Sequence, residues 1–255
     1  MVSRCFAILL AATAVLARTP DGFSPSSDTD LIVEYRGFAP LNGVVVSRNV
    51  TVPEPRIGTL TRLTGASYAV MMIDLDIPTD NPPATNTLLH WMQTSLTPAA
   101  TATQLNTTMG VMRAFLLENS SSTAPIVPYF GPNPPARIPL SHRYTQILVD
   151  TSDITEEGVQ VLRMAAATLR GFDAESVLSQ AGLEGRIVAG NSYNVTNPGP
   201  VGAQDTGTGT GTATATGTGP SASNPVPTAG AAERLRSTSA LLGGAALAGM
   251  VILGL

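Results

Sequence analysis

The sequence of 255 residues contains one cysteine and two histidines, and only 13% of its residues are charged. A single cysteine, Cys5, cannot form an intrachain disulfide bond or a multi-cysteine metal site, so the fold must be stabilised by its core. The net charge is −4. Nucleic-acid affinity depends on basic patches that contact phosphates, so we expect no nucleic-acid partner.

Residues 1–17 have the pattern of a secretory signal peptide. Arg4 precedes an apolar run from Cys5 to Ala17, and the small residues of AVLA suit cleavage after Ala17. A buried helix or a membrane anchor is the alternative. The run is shorter than the roughly 20 apolar residues that cross a bilayer, which favours the cleaved signal. Cleavage would remove Cys5, so thiol catalysis is excluded in the mature chain.

The C-terminal residues follow the order of a GPI-attachment signal. A small-residue cluster at 229–232 precedes the polar spacer ERLRSTS and an uncharged apolar tail that begins at Ala240. The candidate attachment residues are Gly230 and Ala229, which makes residues 231–255 the propeptide. A tail-anchored membrane protein is the alternative, but it would leave the rest of the chain in the cytosol and contradict the signal peptide. We expect the protein to be secreted and attached to the outer face of the plasma membrane or to the cell wall.

Residues 198–230 are rich in Thr, Gly, Ala, Ser and Pro and contain almost nothing that could enter a core. This composition predicts a disordered, O-glycosylated stalk. Four N-glycosylation sequons occur in the chain, at Asn49, Asn106, Asn119 and Asn194.

Residues 28–197 remain as one globular domain, and most of their apolar segments have strand patterns. Two helical patterns follow, over 154–170 with Thr151, Ser152 and Asp153 as candidate caps, and over 173–183 with Asp173 as the cap and an end near Gly185. Strands followed by helices predict a β-rich domain with peripheral helices. The predicted strands span 31–37, 43–52, 68–76, 87–96 and 142–150.

Two aspartates stand at the end of one predicted strand, in YAVMMIDLDIP. Because side chains alternate along a strand, Asp74 and Asp76 point the same way and Leu75 points into the core. Adjacent carboxylates repel, so the pair needs a positive group, a hydrogen-bond donor or a shared proton. On this stretch alone, two solvated acids at a turn are the preferred interpretation.

Both histidines fall in predicted strands. His90 has apolar neighbours, and alternation places Trp91 on the opposite side; an isolated histidine of this kind is more commonly a core residue. His142 follows the proline-rich stretch GPNPP and shares a face with Tyr144, whereas Arg143 faces the other way. A rigid loop that leads into His-x-Tyr is typical of the rim of a preorganised pocket.

Five stretches in this order resemble the phosphatidylethanolamine-binding protein family, which includes Raf kinase inhibitor protein and the plant flowering-time regulators. The resemblance covers about residues 30–195, and we expect a secreted, GPI-anchored fungal member. The stretches are Asp-x-Asp-x-Pro (Asp74, Asp76, Pro78), His-aromatic (His90, Trp91), Gly-x-x-Pro-Pro (Gly131, Pro134, Pro135), His-Arg-Tyr (His142, Arg143, Tyr144) and the closing helix and strand with Tyr193.

The resemblance implies a mainly β fold with peripheral helices, in which a large central antiparallel sheet is flanked by a smaller sheet and C-terminal helices. It also implies a pocket for phosphate-like groups or phospholipid headgroups, with no catalytic residue, metal or other cofactor. Carried over residue by residue, the pocket comprises Asp74, Asp76, His90, Pro135, His142, Tyr144 and Tyr193.

The chain departs from the family pattern at three places, which bear on ligand size and identity. Leu75 stands between the aspartates where proline is usual, and Asn133 occupies a loop position that is often glycine. The stretch from Pro135 to His142 is one residue longer than in familiar members.

Three functions compete at this point. The leading hypothesis is a non-catalytic binding protein with a small anionic or phospholipid-headgroup ligand, displayed on the cell surface. The second is inhibition of a serine protease or carboxypeptidase, because the family includes an inhibitor of carboxypeptidase Y. The third is a metal-dependent hydrolase that uses the His/Asp cluster, although the sequence contains no G-x-S-x-G or H-E-x-x-H motif.

Overall fold

The computed structural model describes residues 18–108 and 110–197, which belong to a unit that spans residues 1–205. The predicted signal peptide, stalk, attachment residues and propeptide lie outside the described residues. Within the described ranges, nine strands and two helices form. They are β1 (Ile32–Glu34), β2 (Val45–Val46), β3 (Arg56–Thr59), β4 (Tyr68–Pro78), β5 (Thr85–Pro98), β6 (Thr103–Thr107), β7 (Gly110–Glu118), β8 (Ser141–Asp150), α1 (Glu156–Ala165), α2 (Ala174–Gln180) and β9 (Ile187–Thr196).

The strands follow the order β1-β3-β7-β5-β4-β8-β9-β2, and β6 pairs with β7. All of these pairings are antiparallel except that of β2 with β9. The long strands β5, β4, β8 and β9 form the centre, and β1, β3, β7 and β6 form a smaller part joined through β5 and β7. The predicted fold, mainly β with a central sheet, a smaller sheet and helices, is confirmed.

The central strands are buried on both faces, which explains their nearly continuous apolar sequences. On one face, Met72 of β4 and Leu148 of β8 pack with Tyr144. On the other face, Ile73 packs with Leu162 of α1 and Leu178 of α2. The two helices therefore cover one face of the sheet.

The sequence patterns failed where strands are short or polar. The prediction over 43–52 is wrong beyond β2, because residues 47–51 form turns in which Val50 N donates to Ser47 O and Thr51 N to Arg48 O. Strands β3, β6 and β7 were not predicted. In β6, Leu105 is the only large apolar side chain, so no alternating pattern is visible.

The cap of α1 also differs from the prediction. Thr155 is the N-cap, and its side chain accepts a hydrogen bond from Gly158 N at 3.1 Å. Ser152 instead bonds to Asp150, and Asp153 pairs with Arg186. Helix α1 ends at Ala165 rather than at residue 170.

Asp173 caps α2 as predicted, by accepting from Ser176 N. The helix ends at Gln180, earlier than the predicted end near Gly185. Gly182, at φ 72°, takes the left-handed conformation that often follows a helix end. Among residues 18–108 and 110–197, no helix is both long enough and apolar enough to cross a membrane.

We predict that Thr155→Ala lowers the free energy of unfolding by about 1 kcal/mol, because Gly158 N loses its side-chain acceptor. Thr155→Ser keeps the hydroxyl and should unfold like the wild type. Urea unfolding of the three proteins checks this. Equal midpoints for the alanine and serine variants would contradict the assignment of Thr155 as the cap.

Candidate functional site

The site forms where β4 and β8 pair near the end of β4. Asp74 lies directly opposite Tyr144, and Tyr144 lies opposite Tyr193 on β9. His142 is two residues before Tyr144, so its side chain emerges on the same face. The antiparallel register thus brings residues distant in sequence to one face of the sheet.

His90 reaches this face through a bulge in β5. Met72 pairs with Trp91 whereas Ile73 pairs with Leu89, so His90 is an extra residue in the ladder. A bulge directs two successive side chains to the same side. The predicted opposite orientation of Trp91 is therefore wrong: its ring packs in the core cluster that contains Tyr144, while the His90 ring lies 5.3 Å from the Tyr144 ring.

The Asp74 carboxylate joins the two histidines. Its Oδ2 atom accepts a hydrogen bond from His142 Nδ1 at 2.7 Å and lies 4.0 Å from His90 Nε2. Its Oδ1 atom accepts from the backbone N–H of Asp76 at 2.8 Å. Asp74 therefore fixes the orientation of His142 and adds negative charge beside His90.

The hydrogen bonds assign the tautomers of both rings. His90 Nδ1 lies 2.8 Å from the carbonyl oxygen of Phe130, which can only accept, and His142 Nδ1 lies 2.7 Å from a carboxylate oxygen. Each neutral ring therefore carries its proton on Nδ1 and presents a lone pair at Nε2. Both Nε2 atoms are buried without a hydrogen-bond partner among the described residues, and the Tyr144 hydroxyl is buried near the Asp74 carboxylate. A ligand that satisfied these atoms would remove an energetic cost.

Asp76 is bound by Arg143 and not by the histidines. Arg143 donates to it from its backbone N–H and from Nε, both at 2.8 Å, and from Nη2 at 2.7 Å. Burial alone would raise the pKa of Asp76, but the hydrogen bonds and charge of Arg143 outweigh burial and hold the pKa below its ordinary value. The two predicted pocket carboxylates are thus held by different partners, Asp74 by His142 and Asp76 by Arg143.

The proline-rich loop is attached to the site through Phe130. The Phe130 backbone N–H donates to His90 O, and its ring stacks on the His90 ring at 4.1 Å. A Cβ atom at Gly131 would lie 2.5 Å from the carbonyl oxygen of Thr51, so only glycine fits there. Pro134 is buried, whereas the predicted pocket wall Pro135 is exposed to solvent.

Two tyrosines complete the cluster. The Tyr144 and Tyr193 rings stack with centroids 6.1 Å apart, and the Tyr193 hydroxyl bonds to that of Tyr35 at 2.6 Å. Burial raises the pKa of both Tyr144 and Tyr193, and the Asp74 carboxylate adds to the rise at Tyr144. Both hydroxyls therefore stay neutral at physiological pH.

The structure brings five of the seven predicted pocket residues into one buried cluster. Asp74, His90, His142, Tyr144 and Tyr193 are each less than 5% exposed. Phe130, which is partly exposed, lies over the His90 ring and shields it from solvent.

The sequence alone did not predict that Phe130 contacts His90 or that the Arg143 side chain bonds to Asp76. The position of Phe130 directly before the Gly131 motif was a signal for its contact. No feature of the sequence indicated the contact of Arg143 with Asp76. Among the residues that the structure describes, no group of three or more His, Cys, Asp or Glu side chains is placed to hold a metal ion.

The predicted glycosylation sites differ in accessibility. Asn49 lies exposed in a turn, and Asn106 is exposed in β6. Asn119 and Asn194 are half-buried, and their side-chain amides donate to Thr123 O and Gly43 O. Glycan attachment to the first two would disturb fewer contacts.

Comparison with known proteins identifies relatives of the whole domain. A protein-family model described as phosphatidylethanolamine-binding protein matches residues 27–193. Phomoidride biosynthesis cluster protein N of Talaromyces stipitatus is 27% identical over 201 residues, which cover 74% of this chain and 94% of that protein.

Solved structures show more distant similarity. A carboxypeptidase Y inhibitor complexed with its cognate proteinase is 16% identical, with a TM-score of 0.46, over 68% of this chain and 85% of that one. The phosphatidylethanolamine-binding protein from Plasmodium vivax is 18% identical, with a TM-score of 0.44, over 66% and 85%. At these values the similarity carries no argument about function.

The buried His90 predicts a loss of stability in mild acid. Burial lowers the pKa of His90, although the Phe130 carbonyl and the Asp74 charge oppose the shift. The unfolded chain takes up this proton near pH 6.5, above the pH at which the folded chain does. Stability from neutral His90 is therefore full above pH 6.5 and declines as the pH falls below it.

The variant His90→Asn keeps an amide donor for the Phe130 carbonyl and removes the titration. We expect it to lose less unfolding free energy between pH 7.5 and 5.5 than the wild type loses. Urea unfolding at several pH values measures this difference, and identical pH slopes would rule out the effect of His90.

Proposed function

The chain belongs to the phosphatidylethanolamine-binding protein family, and on this premise we propose that it is a non-catalytic binding protein for a small ligand that carries a phosphate or similar anionic group. One observation carries the proposal: the Nε2 atoms of His90 and His142 are buried and make no hydrogen bond among the described residues, and the two rings flank one carboxylate, with Asp74 Oδ2 4.0 Å from His90 Nε2 and 2.7 Å from His142 Nδ1. Buried polar atoms are ordinarily hydrogen-bonded, so these atoms are suited to contact a ligand.

The tautomers determine how an anion could bind. In the neutral rings, Nε2 is an acceptor and would repel an anionic oxygen, as would Asp74. Protonation turns Nε2 into a charged donor, which forms the stronger kind of hydrogen bond with phosphate. Binding of a bare anion should therefore take up a proton at His90, whose pKa burial lowers in the free protein, and strengthen as the pH falls.

A zwitterionic headgroup offers a second way to satisfy the same atoms. Its ammonium group can donate to an Nε2 lone pair or to Asp74, while its phosphate accepts from a protonated ring or from the Tyr144 hydroxyl. A phosphoethanolamine-like group thus matches the mixture of one carboxylate, two imidazoles and one hydroxyl better than inorganic phosphate does.

The proposed location is the outer cell surface. The signal-peptide pattern of residues 1–17, the stalk composition of 198–230 and the small-spacer-apolar order after Ala229 support it. A surface protein with a closed headgroup site fits a role in holding lipid-derived ligands outside the cell.

We predict that His142→Asn removes most ligand affinity while it keeps the fold. The asparagine amide can still donate to Asp74, but no group replaces Nε2, and loss of a charge-assisted hydrogen bond costs about 1.5–3 kcal/mol. Titration of glycerophosphoethanolamine at pH 6.0 and 7.5, followed by NMR signals of the two histidines, tests this. Arg163→Ala, a change at an exposed position of α1, is the control and should bind like the wild type.

Wild-type binding should be tighter at pH 6.0 than at pH 7.5. Unchanged histidine signals at millimolar ligand would refute the proposed site. Inhibition of a carboxypeptidase that His142→Asn leaves intact would instead support the alternative function of protease inhibition.

The C-terminal anchor gives a separate prediction. Phosphatidylinositol-specific phospholipase should release the wild-type protein from intact cells, because attachment at Ala229 or Gly230 removes the apolar tail. Leu247→Arg should abolish surface attachment by charging that tail, whereas Thr210→Arg in the stalk should not. Detection of a tail peptide beginning at Ala240 in surface protein, by mass spectrometry, would disprove GPI attachment.

A further inference from the structure

One loop carries a group of exposed apolar side chains beside the site. Phe130, Ile138 and Leu140 are 38%, 78% and 37% exposed, and Val52 is 68% exposed. Val52 adjoins the loop, because a Cβ atom at Gly131 would lie 3.2 Å from its Cα atom. We call these four residues the apolar rim. Single exposed apolar residues are ordinary, but a group on one loop indicates an interaction surface.

The loop that bears the rim is held in place. Pro132 and Pro134 are buried, and the carbonyl oxygen of Pro134 accepts a hydrogen bond from Asn197 Nδ2 at 2.8 Å. Prolines also restrict the backbone of the loop. A surface that is already ordered loses little conformational entropy on binding, so even a few apolar side chains can contribute affinity.

The rim frames the histidine cluster. Phe130 bonds to His90 through its carbonyl and covers the ring, and Leu140 lies two residues before His142. Whatever contacts the rim therefore lies next to the proposed headgroup site.

The chain also leaves the domain at this loop. The Asn197 backbone N–H donates to the carbonyl oxygen of Leu140 at 2.8 Å, and residues 198–255 continue from that point. If the chain is anchored near Gly230, the composition of residues 198–230 predicts a tether with an end-to-end distance of roughly 30 Å. The rim then lies at the end of the domain from which the membrane is reached.

The composition of the stalk argues against the stalk as the partner of the rim. Between residues 198 and 228, Val201 and Val226 are its only large apolar side chains. Arg137 is the one charged residue between Tyr129 and Ser141; its exposed guanidinium lies 3.8 Å from the exposed Asp80 carboxylate, and a lipid phosphate could replace this partner. Apolar side chains beside an exposed arginine match the interfacial region of a bilayer.

We propose that the apolar rim docks the domain on the surface of a phospholipid bilayer, with Ile138 and Leu140 inserted at the headgroup boundary. This inference rests on the proposed surface location and places the histidine site over the headgroups. Docking and headgroup binding use different residues, so each can fail alone.

The test uses a secreted chain that ends at Thr228, which retains every described residue. Its partition onto vesicles of phosphatidylcholine and phosphatidylserine, mixed 4:1, is measured by co-sedimentation. Ile138→Asp should lower the partition coefficient at least about tenfold, since the apolar side chain that docking would bury at the headgroup boundary is replaced by a charged one. Met164→Asp is the matched control, because Met164 is 67% exposed on α1, and it should not change the coefficient.

Equal partition of the Ile138 and Met164 variants would overturn the proposal, as would a wild type that does not bind vesicles. A wild type that self-associates, with Ile138→Asp monomeric, would show a second copy as the partner and also overturn it. Titration with glycerophosphoethanolamine distinguishes failure of bilayer docking from failure of ligand binding at the histidine site. Ile138→Asp should bind this ligand like the wild type, and ligand binding without vesicle binding would leave only the histidine site standing.

Discussion

A carboxylate buried at the end of β4 is the constraint around which the site is arranged. Asp74 is almost completely removed from solvent, and a buried charge is costly unless hydrogen bonds compensate it. His142 and the Asp76 backbone supply those bonds. The resulting geometry orients the His142 ring, and the bulge in β5 places His90 on the other side of the same carboxylate. The cluster therefore depends on Asp74 more than on either histidine.

Two consecutive residues of β8 bind the two aspartates at this end of the sheet. His142 turns toward the tyrosine face, and Arg143 holds Asp76, so the two aspartates do not compete for one partner. Strong separate pairing also limits how far either carboxylate can move. A ligand would meet a site in which the charged groups are fixed and the Phe130 ring lies over His90.

Much of the fold could be predicted from the sequence, because β4, β5 and β8 are long apolar segments and Asp173 is a clear helix cap. The motifs also named five residues that lie in one buried cluster, Asp74, His90, His142, Tyr144 and Tyr193. Strand alternation failed at Trp91, since a bulge exists only relative to the partner strand and leaves no mark on β5 itself. It could not reveal that the long Arg143 side chain reaches Asp76, nor that Pro134 is buried while Pro135 is exposed.

The two hydrogen bonds of Asn197 have a mechanical consequence. They join the last described residue to the Leu140 and Pro134 carbonyls, in the loop that precedes β8. Any pull on the chain beyond Asn197 is transmitted first to that loop, and only then to the ladder in which β9 pairs with β8. Shear flow or movement of an attached surface would thus strain the residues next to His142 before it strained the core. Contacts that would bear this tension therefore lie beside the proposed ligand site.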